Sequence, residues 1–294
     1  MNAVDAGDGD YGARALRARL EANPNDLKLR LELARYYQRS GFPEVAIEHC
    51  RLACERAPES VEAHVELAKM LRSDSRTSEA AAGLSEFAAT HAEAVDVWAW
   101  LGLLRDESGD WSGGETAHRK AVALAPQRDD LHNNLGYCLL RQGRKEQAAE
   151  EFRAALQLNA QSTTARNNLG LALVGEPTAD PKEAVLNWQS VSDAASAHNN
   201  MAVALIETGK YADARREIEI ALSYNQQHSA ALKNLRLVSQ LDGKPAEIPA
   251  AGRSENKRRE GRLTRMWARL AGPEKTGPDK KEGKKDSGNA LGSR

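Results

Sequence analysis

The sequence has few cysteines, few aromatic residues and no long apolar run. Its 294 residues include only three cysteines with no CxxC pair, so neither a disulfide framework nor a cysteine-rich zinc site is predicted. Aromatic residues make up 5% of the chain, which is little for the core of a β-sandwich or barrel. No stretch approaches the roughly 18 apolar residues that a membrane span requires. The formal net charge of −1 argues against a surface built to bind nucleic acid.

The sequence also lacks targeting and catalytic motifs. The N-terminal residues MNAVDAGDGDYG contain three aspartates and no basic residue before Arg14, unlike a secretory signal. We therefore expect a soluble cytoplasmic protein, with peripheral contact at the inner membrane face as an alternative. No Walker loop, HExxH, GxSxG or dinucleotide fingerprint is present, so no catalytic residue, metal, cofactor or obligate small molecule is predicted. Enzyme activity stays open only if a fused or partner subunit supplies the chemistry.

A repeat of 34 residues organises the central two-thirds of the chain. Small residues recur in steps of 34, with a last step of 32, at Ala34, Ala68, Gly102, Gly136, Gly170 and Ala202. A large apolar residue precedes each of them, and a second small residue follows 12 residues later in the first four copies. Each copy holds two segments with apolar residues spaced by three and four, which is a helical period. One helix pair cannot bury its apolar face alone, so the copies are predicted to stack.

This pattern resembles the tetratricopeptide repeat family, whose unit has small residues at positions 8, 20 and 27, an aromatic residue at 24 and proline at 32. Position 24 is Phe152 or Trp188 in two copies, whereas the third copy departs from the pattern with Arg105 at position 11 and His118 at position 24. The resemblance implies an all-α fold, a right-handed α-solenoid of stacked helix-turn-helix units. The last copies are also similar, more weakly, to members of the family from bacterial tight-adherence (Flp) pilus assembly.

The spacing predicts a capping helix at each end of six repeats. The predicted segments are an N-terminal cap at 11–26, repeats at 27–60, 61–94, 95–128, 129–162, 163–194 and 195–228, a C-terminal cap at 229–241, and a tail at 242–294. The fifth repeat is irregular, and a shorter second helix with a change of superhelix pitch at 176–196 is predicted, against a neutral change of loop length. The tail carries 14 basic and 8 acidic side chains and is predicted to be disordered.

Asparagines recur on the predicted inner surface. In the resembled family the first helices of the repeats line a concave groove, with positions 5 and 6 facing it. Asparagine fills these positions in three repeats and one position of the cap: Asn133, Asn134, Asn167, Asn168, Asn199, Asn200, then Lys233 and Asn234. Each amide offers a donor and an acceptor, so the row is predicted to bind the backbone of an extended peptide. The alternative is that asparagine is simply common at position 6.

The N-terminal half of the predicted groove has a different composition. Basic residues occupy groove positions at Lys28, Arg35, Arg39, Lys69 and Arg72, and Trp100 stands at position 6 of the third repeat. We expect a locally basic inner surface with an aromatic anchor, since tryptophan and arginine dominate binding hot spots. The alternative is a solvated face with a packed tryptophan. These residues do not match the set with which chaperone-binding members hold a C-terminal carboxylate.

Two further sets of residues have structural interpretations. Cys50 and Cys54 lie four residues apart and are interpreted as buried thiols rather than half of a metal site. His64, His132 and His198 all stand at position 4, in units separated by whole repeats, and are interpreted as packing histidines.

One tail segment, 258–270, has the pattern of an amphipathic helix. Its apolar residues are Leu263, Met266, Trp267 and Leu270, and Arg262 and Arg265 stand among them. Three alternatives remain: a helix that docks on a partner, contact with an acidic membrane surface, or a solvated segment. The predicted function is a non-catalytic scaffold that binds an extended peptide or a protein partner in its groove. The alternative is a structural component of a pilus or envelope assembly system.

Overall fold

A computed structural model describes residues 11–174 and 180–247, and every regular element within these ranges is an α-helix. Helix α1 (Tyr11–Ala22) precedes six helix pairs, and α14 (Ser229–Asp242) follows them. The first helices of the pairs are α2 (Leu27–Arg39), α4 (Val61–Ser73), α6 (Val95–Glu107), α8 (Asp129–Arg141), α10 (Thr163–Leu173) and α12 (Ala194–Glu207). The second helices are α3 (Pro43–Arg56), α5 (Thr77–Thr90), α7 (Trp111–Leu124), α9 (Lys145–Leu158), α11 (Pro181–Gln189) and α13 (Tyr211–Tyr224). The α-solenoid expected from the sequence is confirmed.

Local sequence sets the ends of the first helices. Asp26, Ser60 and Ser162 each accept a hydrogen bond from the backbone N–H three residues later, which satisfies a free donor of the first turn. The turns that follow first helices contain glycines with φ between +74° and +84°: Gly41, Gly109, Gly143 and Gly209. In the second repeat Ser75 adopts φ +63°, a conformation that costs a residue with a Cβ about 1 kcal/mol.

The first helices form the inner layer of the array. Helices α2, α4, α6, α8 and α10 contact one another in series, and α12 contacts α14, whereas contacts of that extent are absent between successive second helices of the described chain. Because the first helices lie closer together, their exposed face is the inner face. Helices α10 and α12 lack a contact of that extent, so the layer is interrupted at the fifth repeat.

A hydrogen bond from position 4 ties the first helix to the turn before it in five of the six repeats. The side chains of His64 and His132 lie with Nε2 3.1 Å from the carbonyl oxygens of Pro58 and Pro126. Residues at position 4 in three other repeats donate to the carbonyl six residues earlier in the same way: Arg30, Trp98 and Arg166. His198 instead lies 2.7 Å from Glu217 and stacks on Tyr224. The interpretation as packing histidines is confirmed.

The residue at position 8 is matched to the side chain at position 24 of the same repeat. A Cβ atom at Gly170 would lie 2.5 Å from the ring of Trp188. Gly136 and Gly102 meet the rings of Phe152 and His118 in the same way, at 2.7 and 2.4 Å. The repeats with alanine at position 8 have no ring at position 24 and carry Cys50, Leu84 and Ile218 there. Glycine therefore occurs where a ring must lie against the helix backbone.

Polar residues interrupt the apolar core at the third repeat. One apolar cluster runs from Ala13 to Ala117 and a second from Leu135 to Val238, with a small cluster between them. At the interruption His118 Nε2 lies 2.9 Å from Asp106 Oδ2, and both side chains are buried. The departure of this repeat from the family pattern therefore produces a buried polar pair in place of an aromatic core residue.

The fifth repeat is shorter than the others, as predicted. Helix α11 has nine residues, whereas the other five second helices have 14. Part of the surplus in the preceding loop, 175–179, lies outside the described residues. The change of superhelix pitch at 176–196 stays a prediction.

A buried histidine in α3 predicts acid-sensitive stability. His49 stacks on Tyr37 with ring centroids 5.5 Å apart, and its Nδ1 is buried without a hydrogen bond in the described chain. Burial, together with the charge of Arg30, lowers the pKa of His49 from 6.5 to about 4. The unfolded chain therefore binds the proton first as the pH falls. This contribution to stability is complete above about pH 6.5 and is lost as the pH drops towards 4.

We expect the free energy of unfolding to fall by about 1–2 kcal/mol through His49. This is less than the full pKa shift would give, because the ring is partly accessible to solvent. Urea unfolding of the natural protein and of His49→Gln at pH 7, 6, 5 and 4 measures it. The free energies of unfolding of the two proteins should converge or cross as the pH falls. A difference that stays constant across this range would contradict the expectation.

Candidate functional site

The asparagines at positions 5 and 6 form two bonded pairs across neighbouring repeats. Asn168 Nδ2 donates to Asn133 Oδ1 at 3.0 Å, and Asn234 Nδ2 donates to Asn199 Oδ1 at 2.9 Å. In both pairs the donor stands at position 6 and the acceptor at position 5 of the preceding repeat, 35 residues earlier. These four amides therefore hold first helices together, a role that the sequence did not reveal.

The other three asparagines keep their side-chain amides unpaired within the described chain. They are Asn134, Asn167 and Asn200, of which Asn167 is exposed and the other two are half-buried. The repeat irregularity explains the missing pair, since Asn167 and Asn200 are 33 rather than 35 residues apart. At the other end, Asn134 faces Ala99, which has no side-chain acceptor. Three amides thus stay available on the inner face.

A row of apolar side chains at position 9 runs beside the asparagines. Tyr137, Leu171 and Leu237 are 38%, 39% and 42% exposed, and Leu103 and Val203 in the same row are half-buried. Positions 5, 6 and 9 of α8, α10 and α12 are all uncharged. This row was not predicted from the sequence. Its signal was an apolar residue after the small residue of position 8 in the third to sixth repeats, where the first two repeats carry Arg35 and Lys69.

The locally basic surface predicted for the N-terminal half is largely neutralised, because glutamates pair with three of its five cations. Arg35 donates from Nε to Glu66 at 2.8 Å and from Nη2 to Glu62 at 3.1 Å. Lys69 Nζ donates to Glu66 at 2.6 Å. The pairing of these acids was not predicted, although Glu62 and Glu66 stand 27 and 31 residues after Arg35, close to one repeat.

The remaining basic residues of this half differ in their pairing. Arg72 Nε donates to both carboxylate oxygens of Glu107, at 2.7 and 2.8 Å. Lys28 and Arg39 are exposed and have no ion pair in the described chain. Lys233, at the opposite end of the groove, is also exposed. Only Lys28 and Arg39 of the five predicted residues therefore present an uncompensated positive charge.

A pocket of about 510 Å³ opens on the inner face between α2, α4 and α6. Trp100, half-buried, forms one wall, and Lys69 Nζ lies 5.2 Å from the centre of its ring. The other side chains that line it are Arg35, Val61, Glu62, Val65, Glu66 and Asp96. The tryptophan predicted as an anchor is therefore part of a pocket on the groove surface.

Glu66 lies at the base of this pocket as a buried carboxylate. Burial alone would raise the pKa of Glu66, but the hydrogen bonds from Arg35 and Lys69 outweigh it and the pKa is lowered. The same bonds help to raise the pKa of Arg35 above its usual value. The side chains that line the pocket thus carry two positive and three negative charges.

The two thiols of α3, Cys50 and Cys54, were predicted to be buried. Cys50 is buried and Cys54 half-buried, so only the first fully matches the predicted buried thiols. Burial raises the pKa of Cys50 to about 12 and that of Cys54 to about 11, which keeps both thiols protonated. Within residues 11–174 and 180–247, no group of three His, Cys, Asp or Glu side chains is arranged to hold a metal ion.

The predicted tail contacts lie outside the described residues. These are Leu263, Met266, Trp267, Leu270, Arg262 and Arg265, and the segment 258–270 as a whole. Among the helices that the structure describes, none combines the length and the apolar character that crossing a bilayer would need.

Comparisons with known proteins agree with the helix-pair architecture. Two family models described as tetratricopeptide repeat match residues 27–70 and 100–163. Protein FlbA of Caulobacter vibrioides is 30% identical over 154 residues, covering 51% of this chain and 25% of FlbA. The chain thus spans a quarter of the length of this curated relative.

Solved structures show the same fold. YrrB, described as a tetratricopeptide-repeat protein with an unusual peptide-binding site, matches 64% of this chain and 97% of its own, with a TM-score of 0.50 and 20% identity. PilF of Pseudomonas aeruginosa matches 77% of this chain and 99% of its own, with a TM-score of 0.54 and 19% identity. At these identities the likeness shows the fold alone. The repeat period, the stacked helix pairs and the two family matches together show that residues 27–70 and 100–163 contain tetratricopeptide repeats.

Proposed function

We propose that this protein is a non-catalytic scaffold that holds an extended peptide, or an extended segment of a partner protein, along its inner face. Tetratricopeptide-repeat proteins are typically protein-interaction scaffolds, and the proposal assigns that role to a specific surface. The observation that carries it is the set of three unpaired amides, Asn134, Asn167 and Asn200, on successive first helices. Each can bond both the N–H and the C=O of a peptide unit.

The apolar row beside these amides supports the same proposal. An extended peptide that bonds the asparagines through its backbone has side chains of alternate residues on one side. Leu103, Tyr137, Leu171, Val203 and Leu237 offer those side chains an apolar surface that water covers in the free protein. Burial of this surface adds affinity, whereas the amides set the orientation of the backbone.

Replacement of Asn134, Asn167 and Asn200 by alanine tests the proposal. Each lost hydrogen bond contributes roughly 0.5–1.5 kcal/mol, so we expect the triple variant to bind peptide at least tenfold more weakly. A nonapeptide selected from a random library on the natural protein is the probe, and calorimetry gives the dissociation constants. Circular dichroism should show the same helicity, because these side chains make no hydrogen bond in the described chain.

Two variants serve as controls. Asn187→Ala removes an asparagine from the second helix α11, where its side chain bonds only the backbone of Glu183, and should leave binding unchanged. Asn168→Ala breaks a bonded pair and should lower thermal stability as well as any binding. Equal affinity of the triple variant and the natural protein would reject the amide row as a binding surface.

The pilus or envelope assembly role is the alternative proposal. The names FlbA and PilF bring it to this chain, but FlbA is matched over a quarter of its length and PilF at the level of fold. Membrane fractionation of the natural protein and of Trp267→Ala separates the two roles. Recovery with membranes that depends on Trp267 supports the alternative, and recovery in the soluble fraction supports a scaffold in the cytoplasm.

A further inference from the structure

The cations that line the pocket beside Trp100 are paired with a carboxylate, whereas two of its acids keep a free oxygen. Glu66 uses one carboxylate oxygen for Arg35 and the other for Lys69, so this acid and these two cations bind one another. Both cations are therefore already engaged. An incoming anion would therefore meet cations whose charge is already offset by carboxylates, which weakens its attraction to the pocket.

The acids at the mouth of the pocket are different. Glu62 and Asp96 are 48% and 55% exposed, and each uses only one oxygen in an ion pair. Glu62 Oε1 accepts from Arg35 at 3.1 Å, and Asp96 Oδ1 accepts from Arg128 at 2.5 Å. Glu62 Oε2 and Asp96 Oδ2 have no donor within the described chain. These two oxygens are free acceptors of residues that line the pocket, one from α4 and one from α6.

The remaining wall favours a flat cation. The indole ring of Trp100 is half-buried, with Val61 and Val65 completing an apolar wall. The face of an aromatic ring attracts a cation, and Lys69 already lies over this one at 5.2 Å. A guanidinium can stack on the ring while its N–H groups bond carboxylates at its edge, which an ammonium cannot do. A volume of about 510 Å³ is ample for such a side chain.

We propose that this pocket takes an arginine side chain of the bound segment, stacked on Trp100 and hydrogen-bonded to Glu62 and Asp96. The inference rests on the proposed function, because the arginine is a residue of the segment that the groove holds. The sequence predicted basic residues in this half of the groove, whereas the free acceptors of the pocket are carboxylate oxygens of Glu62 and Asp96. Residues 1–241, which carry a net charge of −7, add a field that favours a basic ligand.

Peptides that differ in one side chain test the proposal. Four libraries of acetylated and amidated nonapeptides carry arginine, lysine, citrulline or glutamate at the central position, among random uncharged residues. Sequences selected on the full chain are resynthesised with each of the four residues, and calorimetry gives their dissociation constants. We expect the arginine peptide to bind about tenfold more tightly than its neutral isostere with citrulline, and this ratio to shrink as salt screens the charges.

The double variant Glu62→Gln and Asp96→Asn should reduce the ratio to about one, chiefly because the arginine peptide binds more weakly. Glu207→Gln is the control, because Glu207 is an exposed acid of the first helix α12, lies outside the pocket and shares no ion-pair partner with Glu62 or Asp96, and it should keep the ratio. Equal binding of arginine and citrulline peptides, tighter binding of glutamate, or a ratio that survives in the double variant would each overturn the proposal.

The triple asparagine variant distinguishes failure of the arginine-pocket proposal from failure of the proposed peptide-binding groove. If Asn134, Asn167 and Asn200 hold the backbone, their replacement lowers the affinity of arginine and citrulline peptides equally and the ratio remains. If the asparagine variant binds peptides more weakly but the natural protein shows no preference for arginine, the groove proposal stands and the pocket proposal is rejected. If no peptide from any library binds at 1 mM, both proposals are wrong.

Discussion

Replacing His118 by phenylalanine should destabilise the protein by about 3 kcal/mol, although phenylalanine is the residue type that the repeat pattern favours at this position. His118 is fully buried, and its Nε2 lies 2.9 Å from Asp106 Oδ2, which is itself 7% exposed. Phenylalanine would leave the carboxyl group of Asp106 buried without this partner. The cost of an unpaired buried polar group exceeds what the larger apolar ring adds to the core.

Replacing Asp106 by leucine in the His118→Phe variant should recover the lost stability. Leucine has the same branching as aspartate, and a Phe–Leu pair can join the two apolar clusters that end at Ala117 and begin at Leu135. We expect the double variant to lie within about 1 kcal/mol of the natural protein or above it, because apolar replacement of a buried polar pair is often neutral or stabilising. Urea unfolding followed by circular dichroism measures the four members of this double-mutant cycle.

The result also reports on how the array unfolds. With the polar pair present, the apolar core is divided at the third repeat, and the two halves are held by fewer shared apolar contacts. Joining them should sharpen the unfolding transition, since repeat arrays unfold as units coupled through their interfaces. If His118→Phe alone were as stable as the natural protein, the buried pair would make no net contribution.

Gly170→Ala should lower the free energy of unfolding by about 2 kcal/mol, although this substitution normally stabilises a helix. Alanine within a helix is normally about 1 kcal/mol more stable than glycine. At Gly170 the new Cβ would lie 2.5 Å from the ring of Trp188. That ring is 1% exposed and donates from Nε1 to the backbone carbonyl of Asn167 at 3.2 Å, so it has no free space to move into. Overpacking of this kind costs about 1–3 kcal/mol.

Gly83→Ala is the matched control. Gly83 lies inside helix α5, is exposed, and has no neighbouring atom within 4 Å of the position that a Cβ would take. The same substitution should therefore raise the free energy of unfolding by about 0.5–1 kcal/mol. Opposite signs for the two variants in thermal and urea unfolding would confirm the contact with Trp188. A gain at both positions would show that the ring relaxes without cost.

The candidate site was partly predictable, and the missing part has a physical reason. The sequence placed Trp100 and the asparagines on one face, because position within a repeat determines which way a first helix presents a side chain. It could not tell which amides bond one another, since that depends on a distance between helices of different repeats. Asn133 and Asn168 lie at a bonding distance, whereas the two-residue shortening separates Asn167 from Asn200.

The sequence by itself determined the repeat, the helix pairs and their stacking. A period of 34 with small residues at fixed positions allows helices to pack in one way only, and that information is local to each unit. The match between Gly170 and Trp188 was also present in the sequence, because glycine at position 8 accompanies a ring at position 24. Tertiary structure decided the charge of the groove. Arg35 contributes to a basic surface along the chain, but stacking brings Glu62 and Glu66 of α4 within hydrogen-bonding distance of it, and a charge acts through space rather than through sequence.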